Sequence, residues 1–271
     1  MLCHVIYSET QRLQAFPMKA PSINHDPLPY VDKIIAIGSG KGGVGKSTVT
    51  SCLAHALVAD GKRVGILDAD VHGPSIPQML GIATVGQPEV KEEQMLPIMG
   101  HGIATMSMAH LAPGKAAIWR GPMVTKALVQ MLRHVRWGTQ DAPLDVLLID
   151  LPPGTGDIHL TLLQQAPIDG AFVVTTPQPI AVIDAEKAAQ LFLKANIPLL
   201  GIIENMSILA LPDGGSLQPF GAGGGQQLAE KAHVPLLAQL PLDSELREAM
   251  DEGKQPPNLA PFEALLPALR G

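Results

Sequence analysis

Two lysines, a serine and several glycines share one short segment, and together they can bind phosphate. The segment fits G-x-x-x-x-G-K-[ST], in which backbone N–H groups surround phosphate oxygens, a lysine reaches the β- and γ-phosphates and a hydroxyl joins the Mg²⁺ shell. Lys46 and Ser47 hold the last two of these positions. The pattern predicts an ATP site formed by Gly40, Lys41, Gly42, Gly43, Val44, Gly45, Lys46, Ser47 and Thr48.

The same stretch also contains a second glycine pattern. Gly38, Gly40 and Gly43 spell G-x-G-x-x-G, which is typical of a dinucleotide site. Such a site requires an acidic residue about 20 positions further on, whereas Asp68 comes later. It also leaves the Gly-Lys-Ser ending unexplained, so the sequence favours the phosphate loop.

Three aspartates follow apolar runs that read as strands. Asp68 and Asp70 close one run, and Asp150 ends the run 146–149. Because ligands of parallel sheets bind at the carboxyl edge, we expect Asp68, Asp150 and Ser47 in the Mg²⁺ shell. The residues that the motifs predict to be catalytic in ATP hydrolysis are Lys46, Asp70 and Asp150. For Asp68 and Asp70 the alternative is a turn or helix-capping role.

Two further segments belong to the predicted site. Residues 151–157 (LPPGTGD) form a glycine-punctuated loop that can sense the γ-phosphate, and we name this segment the switch loop. Asn205 follows a late strand, where its carboxamide matches adenine N6 and N7; a turn residue is the alternative. His72 and His159 flank the site, and we interpret both as surface or packing residues.

The elements that position these residues alternate along the chain. Short apolar runs predict strands at 33–38, 63–67, 144–149, 170–175, 199–203 and 236–240, and helical spacing predicts helices after Ser47, from Pro122, and at about 180–195, 224–232 and 244–252. This order indicates an α/β fold, a parallel sheet with helices on both faces. Residues 95–108 are predicted to form a small hairpin insertion.

Length, composition and charge limit the domain organisation and the partners that the sequence allows. We expect residues 1–31 to be a flexible N-terminal tail and residues 32–271 to be one P-loop ATPase domain. A net charge of −6 without a basic cluster disfavours nucleic acid, and no apolar run approaches the ~18 residues of a membrane span. The only two cysteines, Cys3 and Cys52, favour a reducing cytoplasm.

Together these motifs resemble the Mrp/ApbC family of iron–sulfur cluster carriers, which is related to the MinD and ParA ATPases. Lys41, a second lysine in the loop, resembles the deviant Walker A lysine of that group. The resemblance covers about residues 33–253 and includes 73–77 (GPSIP), 119–122 (WRGP), 150–157 (DLPPGTGD), 204–207 (ENMS), 221–225 and 239–241. It implies a P-loop NTPase that works as a homodimer. It also implies that Lys41 is a fourth catalytic residue, which contacts phosphate across the dimer, and that Asn205 and Pro241 hold adenine.

The resemblance also implies a role with iron–sulfur clusters, and here the sequence departs from the family. The family's Cys-x-x-Cys follows Asn-Met-Ser, whereas residues 208–220 (ILALPDGGSLQPF) contain neither Cys nor His. Clusters require thiolates, usually four. Cys52 lies on the predicted helix after the loop, as a packed core thiol. The cluster ligands therefore stay unknown.

Three functions remain open at this point. The first is an ATPase of iron–sulfur cluster assembly or transfer to client apoproteins, and the second is a positioning ATPase like MinD or ParA. The third is a nucleotide-switched scaffold without metal cargo. The second is disfavoured because residues 262–271 carry a single cation, Arg270, and no basic face for DNA exists.

Overall fold

The computed structural model describes residues 26–71, 73–111 and 121–270. The strands are β1 Val31–Ser39, β2 Val64–Asp68, β3 Val90–Lys91, β4 Gln94–Met95, β5 Ile98–Gly100, β6 Ile103–Ser107, β7 Leu144–Asp150, β8 Gly170–Thr175, β9 Leu199–Glu204, β10 Leu209–Ala210, β11 Ser216–Leu217 and β12 Leu236–Gln239. The helices are α1 Lys46–Ala59, α2 Ile76–Met79, α3 Met108–Leu111, α4 Gly121–His134, α5 Asp157–Gln165, α6 Pro179–Lys194, α7 Gly224–Ala232, α8 Ser244–Asp251 and α9 Ala260–Glu263, followed by a 3₁₀ turn at Leu266–Leu269.

One eight-stranded sheet organises the molecule, in the order β12-β9-β8-β1-β7-β2-β6-β5. Neighbouring strands are parallel except for β5, which runs antiparallel to β6. The pairs β3–β4 and β10–β11 form two small separate ladders. β1 lies inside the sheet between β8 and β7, so the loop that leaves its carboxyl end starts at the middle of the sheet edge.

Helices cover both faces of this sheet, as predicted. Successive β1 residues alternate between two cores: Ile34 and Ala36 belong to one, and Ile35 and Ile37 to the other. The first core contains apolar residues of α4, α5, α6 and α7, and the second contains those of α1, α2, α8 and α9. Burial on both faces explains why the strands read as continuous apolar runs rather than alternating ones.

The predicted hairpin insertion at 95–108 is wrong in one respect. β5 and β6 do form an antiparallel hairpin, but β6 also pairs in parallel with β2 and belongs to the main sheet. The reason is burial, because Ile103 packs in one core and Met106 in the other. The segment therefore widens the sheet instead of leaving it.

The ends of the chain complete the second core and the start of the sheet. Residues 1–25 of the predicted N-terminal tail lie outside the described residues, while Leu28 is buried and Val31 begins β1. Phe262, Leu265 and Leu269 pack in the α1 core. Across the residues that the structure describes, every helix is too short or too polar to cross a bilayer.

Candidate functional site

The loop between β1 and α1 forms a glycine-walled cradle. Gly43 and Gly45 adopt positive φ angles of 81° and 83°, and Gly45 is the N-cap of α1. Backbone in this left-handed conformation turns successive N–H groups toward one side, and the helix start adds its positive end. The cradle opens into a cavity of about 230 Å³ lined by Ser39, Lys41, Gly42, Gly43, Val44, Gly45, Lys46, Ser47, Thr48, Asp70, Gly73, Ser75, Met79 and Pro153.

Gly40 lets α6 pack directly against the beginning of this loop. A Cβ on Gly40 would lie 2.0 Å from the carbonyl carbon of Asp184 and 2.2 Å from the amide nitrogen of Ala185. Both atoms are helix backbone, which cannot move aside for a side chain. Gly40 is therefore a packing requirement that holds the cradle against α6.

Three predicted residues converge at the floor of the cavity. Ser47 Oγ donates to Asp150 Oδ2 at 2.6 Å, and Lys46 Nζ lies 2.8 Å from the same oxygen. Lys46 and Asp150 are almost fully buried, which strengthens their attraction. The serine hydroxyl and the carboxylate are hard oxygen donors held side by side, a donor set that suits Mg²⁺ next to a triphosphate.

Thr50 was not predicted, although it contacts the same aspartate. Its hydroxyl lies 2.8 Å from Asp150 Oδ1 and 3.0 Å from the Lys46 carbonyl one turn earlier on α1. Each carboxylate oxygen of Asp150 is thereby contacted from α1, Oδ2 by Ser47 and Oδ1 by Thr50. The strand β7 and the helix α1 thus fix the orientation of this carboxylate between them.

Asp68 lies beside Asp150, because the two residues are register partners on β2 and β7. Asp68 is fully buried; its Oδ2 accepts from Ser107 Oγ at 2.9 Å and its Oδ1 from the Asp70 amide at 3.2 Å. Burial, followed by the neighbouring Asp150 charge, raises the pKa of Asp68 to about 8. Its position in a Mg²⁺ shell remains a prediction.

Asp70 and Lys41 reach the cavity wall itself. Asp70 Oδ1 accepts the amide of Gly73 at 3.2 Å, which shapes the loop after β2. Lys41 is half-exposed, and its ammonium makes no ion pair within the described residues. The site thus combines the buried Lys46, which is paired with Asp150, with Lys41, which lines the cavity and is partly exposed.

Asn205 contacts the cradle from the neighbouring strand end. Its Nδ2 donates to the Val44 carbonyl at 2.9 Å, and its backbone N–H donates to Thr175. The amide of Ser207 donates to the Leu240 carbonyl and that of Leu242 to Ile208, which brings the half-buried Pro241 alongside the segment 205–208. The structure therefore unites Asn205 and Pro241 beside the loop, while an adenine contact stays a prediction.

The switch loop runs along the other side of the cradle. The Gly154 amide donates to the Ser39 carbonyl at 3.1 Å, and Pro153 lines the cavity. His159 is buried rather than on the surface, and its Nε2 lies 2.7 Å from the Pro152 carbonyl. Burial is the largest influence on the pKa of His159 and lowers it, so the ring is neutral near pH 7.

The described residues do not offer a cluster site. Cys52 is buried in the α1 core, and burial raises the pKa of its thiol. Residues 208–220, where the family places its two cysteines, contain the hairpin β10–β11 instead. Across the described ranges, no three His, Cys, Asp or Glu side chains come together to hold a metal ion.

Comparison with protein families and curated proteins supports these observations. The family model described as NUBPL iron-transfer P-loop NTPase, of the ParA group, matches residues 30–264. An iron–sulfur cluster carrier protein of Escherichia coli K12 is 52% identical over 232 residues, 85% of this chain and 62% of that protein. The iron–sulfur cluster transfer protein NUBPL of Mus musculus is 45% identical over 233 residues, 84% of this chain and 71% of that protein. The chain thus spans less than two thirds of the length of the bacterial relative.

Solved structures agree with the fold. A nucleotide-binding protein from Archaeoglobus fulgidus in complex with ADP has a TM-score of 0.72 and 38% identity, covering 83% of this chain and 88% of that one. The cell division ATPase MinD of Pyrococcus furiosus has a TM-score of 0.63 and 25% identity, covering 88% and 98%. The predicted P-loop NTPase fold and the Mrp/ApbC-like, MinD-related resemblance are confirmed.

Proposed function

The chain belongs to the NUBPL iron-transfer P-loop NTPase family, and from this premise we propose that it binds and hydrolyses ATP as a homodimer and acts in iron–sulfur cluster assembly or transfer to apoproteins. The observation that carries the proposal is the convergence of Lys46 and Ser47 on Asp150 beneath the glycine cradle. Each of these groups has a role in phosphoryl transfer that its chemistry explains.

The cradle binds the triphosphate. Backbone N–H groups of 40–48 surround its oxygens, and Lys46 turns its ammonium from Asp150 toward the β- and γ-phosphates. Ser47 and Asp150 would hold Mg²⁺, which would supply charge neutralisation to the triphosphate. Asp70, in the cavity wall, orients the water that attacks the γ-phosphorus in line. Asn205 and Pro241 hold the adenine.

In the proposed dimer, Lys41 has a catalytic role at the site of the partner protomer. Lys41 lines the cavity and makes no ion pair among the described residues, so its side chain can bind a phosphate. In a dimer with the two cavities facing each other, Lys41 of one protomer meets the γ-phosphate of its partner and stabilises the charge that develops during transfer.

The iron–sulfur cluster is the cargo in this proposal, and its thiolates come from outside the described residues. The buried Cys52 does not serve as a ligand, because its thiol is held in the core and its pKa is raised. The chain then acts as the nucleotide-driven component, while cluster ligation rests on a client or assembly protein.

The ATP site is tested by comparing Lys46→Ala with Lys62→Ala. Lys62 is a matched control because its ammonium pairs with Asp145 on the surface, away from the cavity. We expect Lys46→Ala to reduce Mg²⁺-dependent ATP turnover by about a hundredfold and Lys62→Ala to leave it unchanged. Equal turnover in both variants would reject the ATP site.

The cargo role is tested separately. After anaerobic reconstitution with iron and sulfide, we expect the chain alone to retain far less than ~4 iron atoms per dimer. With ATP and Mg²⁺ it is expected to accelerate cluster transfer from a loaded scaffold protein to an apoprotein that needs a [4Fe–4S] cluster, and Lys46→Ala is expected not to. Transfer that is independent of ATP would refute this role.

A second candidate is a nucleotide-switched scaffold without metal cargo. The hairpin β10–β11 favours it, because this hairpin presents exposed Leu217 and partly exposed Ile208 where the family carries thiolates. ATP-dependent binding of a client that contains no cluster, with no effect on cluster transfer, would select this function.

A further inference from the structure

His159 connects the switch loop to helix α5. Its side chain is 4% exposed, and its Nε2 lies 2.7 Å from the Pro152 carbonyl. Because a carbonyl oxygen only accepts, Nε2 carries the hydrogen, and a neutral ring then leaves Nδ1 as an acceptor. Nδ1 is also buried, and the ring interacts with the Gly156 backbone as well as with Pro152.

The bond to Pro152 holds the loop between two anchors on β1. The Leu151 amide donates to the Ile37 carbonyl at 3.1 Å, and the Gly154 amide donates to Ser39 at the same distance. Between these anchors, Pro153 reaches the cavity and lies 4.0 Å from a Cβ built on Gly42. A change at the γ-phosphate position therefore reaches Pro152 through its neighbour.

On the other side, His159 is part of a rigid helix. Leu162 and Leu163 of α5 pack in the same core as Leu128 and Met131 of α4, while Leu160 points outward and is 37% exposed. A helix held by such packing moves as a unit when its end is displaced. The loop, the imidazole and α5 thus form one continuous path from the cavity to the surface.

We propose that His159 is a positioning residue that fixes the switch loop beside the nucleotide and transmits loop movement to α5. This inference rests on the proposed nucleotide-binding function. The Nε2–H bond to Pro152 defines one loop position. The ring also interacts with the Gly156 backbone, so His159 contacts the switch loop at two points, Pro152 and Gly156.

The test compares His159→Gln with His159→Asn. The Gln carboxamide reaches the depth of Nε2 and can donate to Pro152, whereas the shorter Asn carboxamide ends near the level of Nδ1. His55→Asn is the matched control, because His55 is also 4% exposed and its Nε2 is buried without a partner in the described residues. Hydrogen exchange is measured with and without a non-hydrolysable ATP analogue and Mg²⁺, together with steady-state ATP hydrolysis.

In the wild-type protein we expect the analogue to slow exchange at 40–48 and to change it at 157–165. In His159→Asn the analogue should still slow exchange at 40–48 but should no longer change it at 157–165. We expect kcat to fall about tenfold and KM to stay nearly unchanged. His159→Gln and His55→Asn should behave like wild type. A response at 157–165 that survives in His159→Asn, or its loss in both His159 variants, overturns the inference. A wild-type protein without protection at 40–48 overturns the nucleotide-binding proposal itself.

Discussion

The hydroxyl of Thr50 lies 2.8 Å from Oδ1 of Asp150, the carboxylate oxygen opposite the one that Ser47 contacts. Hydrogen bonds to a buried carboxylate are stronger than neutral ones, and their loss leaves a charged oxygen without a partner. Thr50 is thus a structural determinant of where Asp150 points.

We therefore expect Thr50→Val to lower the free energy of unfolding by about 2 kcal/mol and to raise the Mg²⁺ concentration needed for half-maximal ATP turnover. Thr50→Ser should restore both. Thr176→Val is the control, because the Thr176 hydroxyl is buried without a partner in the described residues. Urea unfolding and a Mg²⁺ titration measure the two effects, and a wild-type result for Thr50→Val would contradict the role of the hydroxyl.

Gly45 combines a left-handed backbone with close contact to Asn205. Its φ is 83°, and a Cβ there would lie 2.2 Å from Asn205 Nδ2. Gly61 has a φ of 81° with nothing within 4 Å, so it isolates the backbone effect. We expect Gly61→Ala to cost about 1 kcal/mol of stability and to leave ATP affinity unchanged. Gly45→Ala should cost more and weaken ATP binding at least about tenfold. If calorimetry gave the same loss of stability and of ATP affinity for both substitutions, the close contact of Gly45 with Asn205 would have no effect of its own.

The proposed role of Lys41 lies in hydrolysis and dimerisation and not in ATP binding. Lys41→Ala is expected to bind ATP nearly as wild type does, because Lys46 and the cradle remain, but to lose ATP-dependent dimerisation and most of its turnover. Lys91→Ala, which removes an exposed lysine on β3, is the control. Light scattering with ATP and Mg²⁺ provides the measurement. Undiminished dimers in Lys41→Ala would eliminate the contribution of this lysine across the interface.

His55 makes stability depend on pH. Burial, followed by the nearby His101 ring at 5.5 Å, lowers the pKa of His55 to about 4. The unfolded chain binds this proton near pH 6.5, so the folded state loses stability as pH falls from about 6.5 toward 4. Between pH 7.5 and pH 5 the loss due to His55 is about 2 kcal/mol. His55→Leu should remove this part of the decline in urea unfolding, and an identical decline in both proteins would show that His55 does not titrate as described.

Local patterns identified the strands and the cradle because their causes are local. An apolar run such as 146–149 is explained by burial on both faces of the sheet, and the Gly-Lys-Ser ending by phosphate chemistry. The carboxyl edge rule also brought Asp68 and Asp150 together, and the structure places them as register partners. For these residues, a place at the end of a predicted strand is enough to locate them at the carboxyl edge of the parallel sheet.

Other contacts depend on distant parts of the chain and have no local signal. Thr50 meets Asp150 across 100 positions, and Ser107 meets Asp68 across 39. The sequence predicts a surface or packing role for His159, and the structure buries it. Its contact with Pro152 has no local signal, because nothing in 157–165 indicates that α5 begins directly after the switch loop. Residues 95–108 read as a hairpin insertion, since no local signal indicates that β6 pairs in parallel with β2. Each of these contacts is formed by tertiary packing between segments that are distant in sequence.

The single bond from Asn205 to Val44 has an implication for selectivity. Asn205, proposed to contact the base, donates a hydrogen bond to the loop proposed to bind the phosphates, so the two proposed contact regions are mechanically coupled. If the proposed contacts are correct, a base that displaces Asn205 should weaken triphosphate binding as well. Discrimination among purine nucleotides should therefore appear in the rate of hydrolysis as well as in affinity.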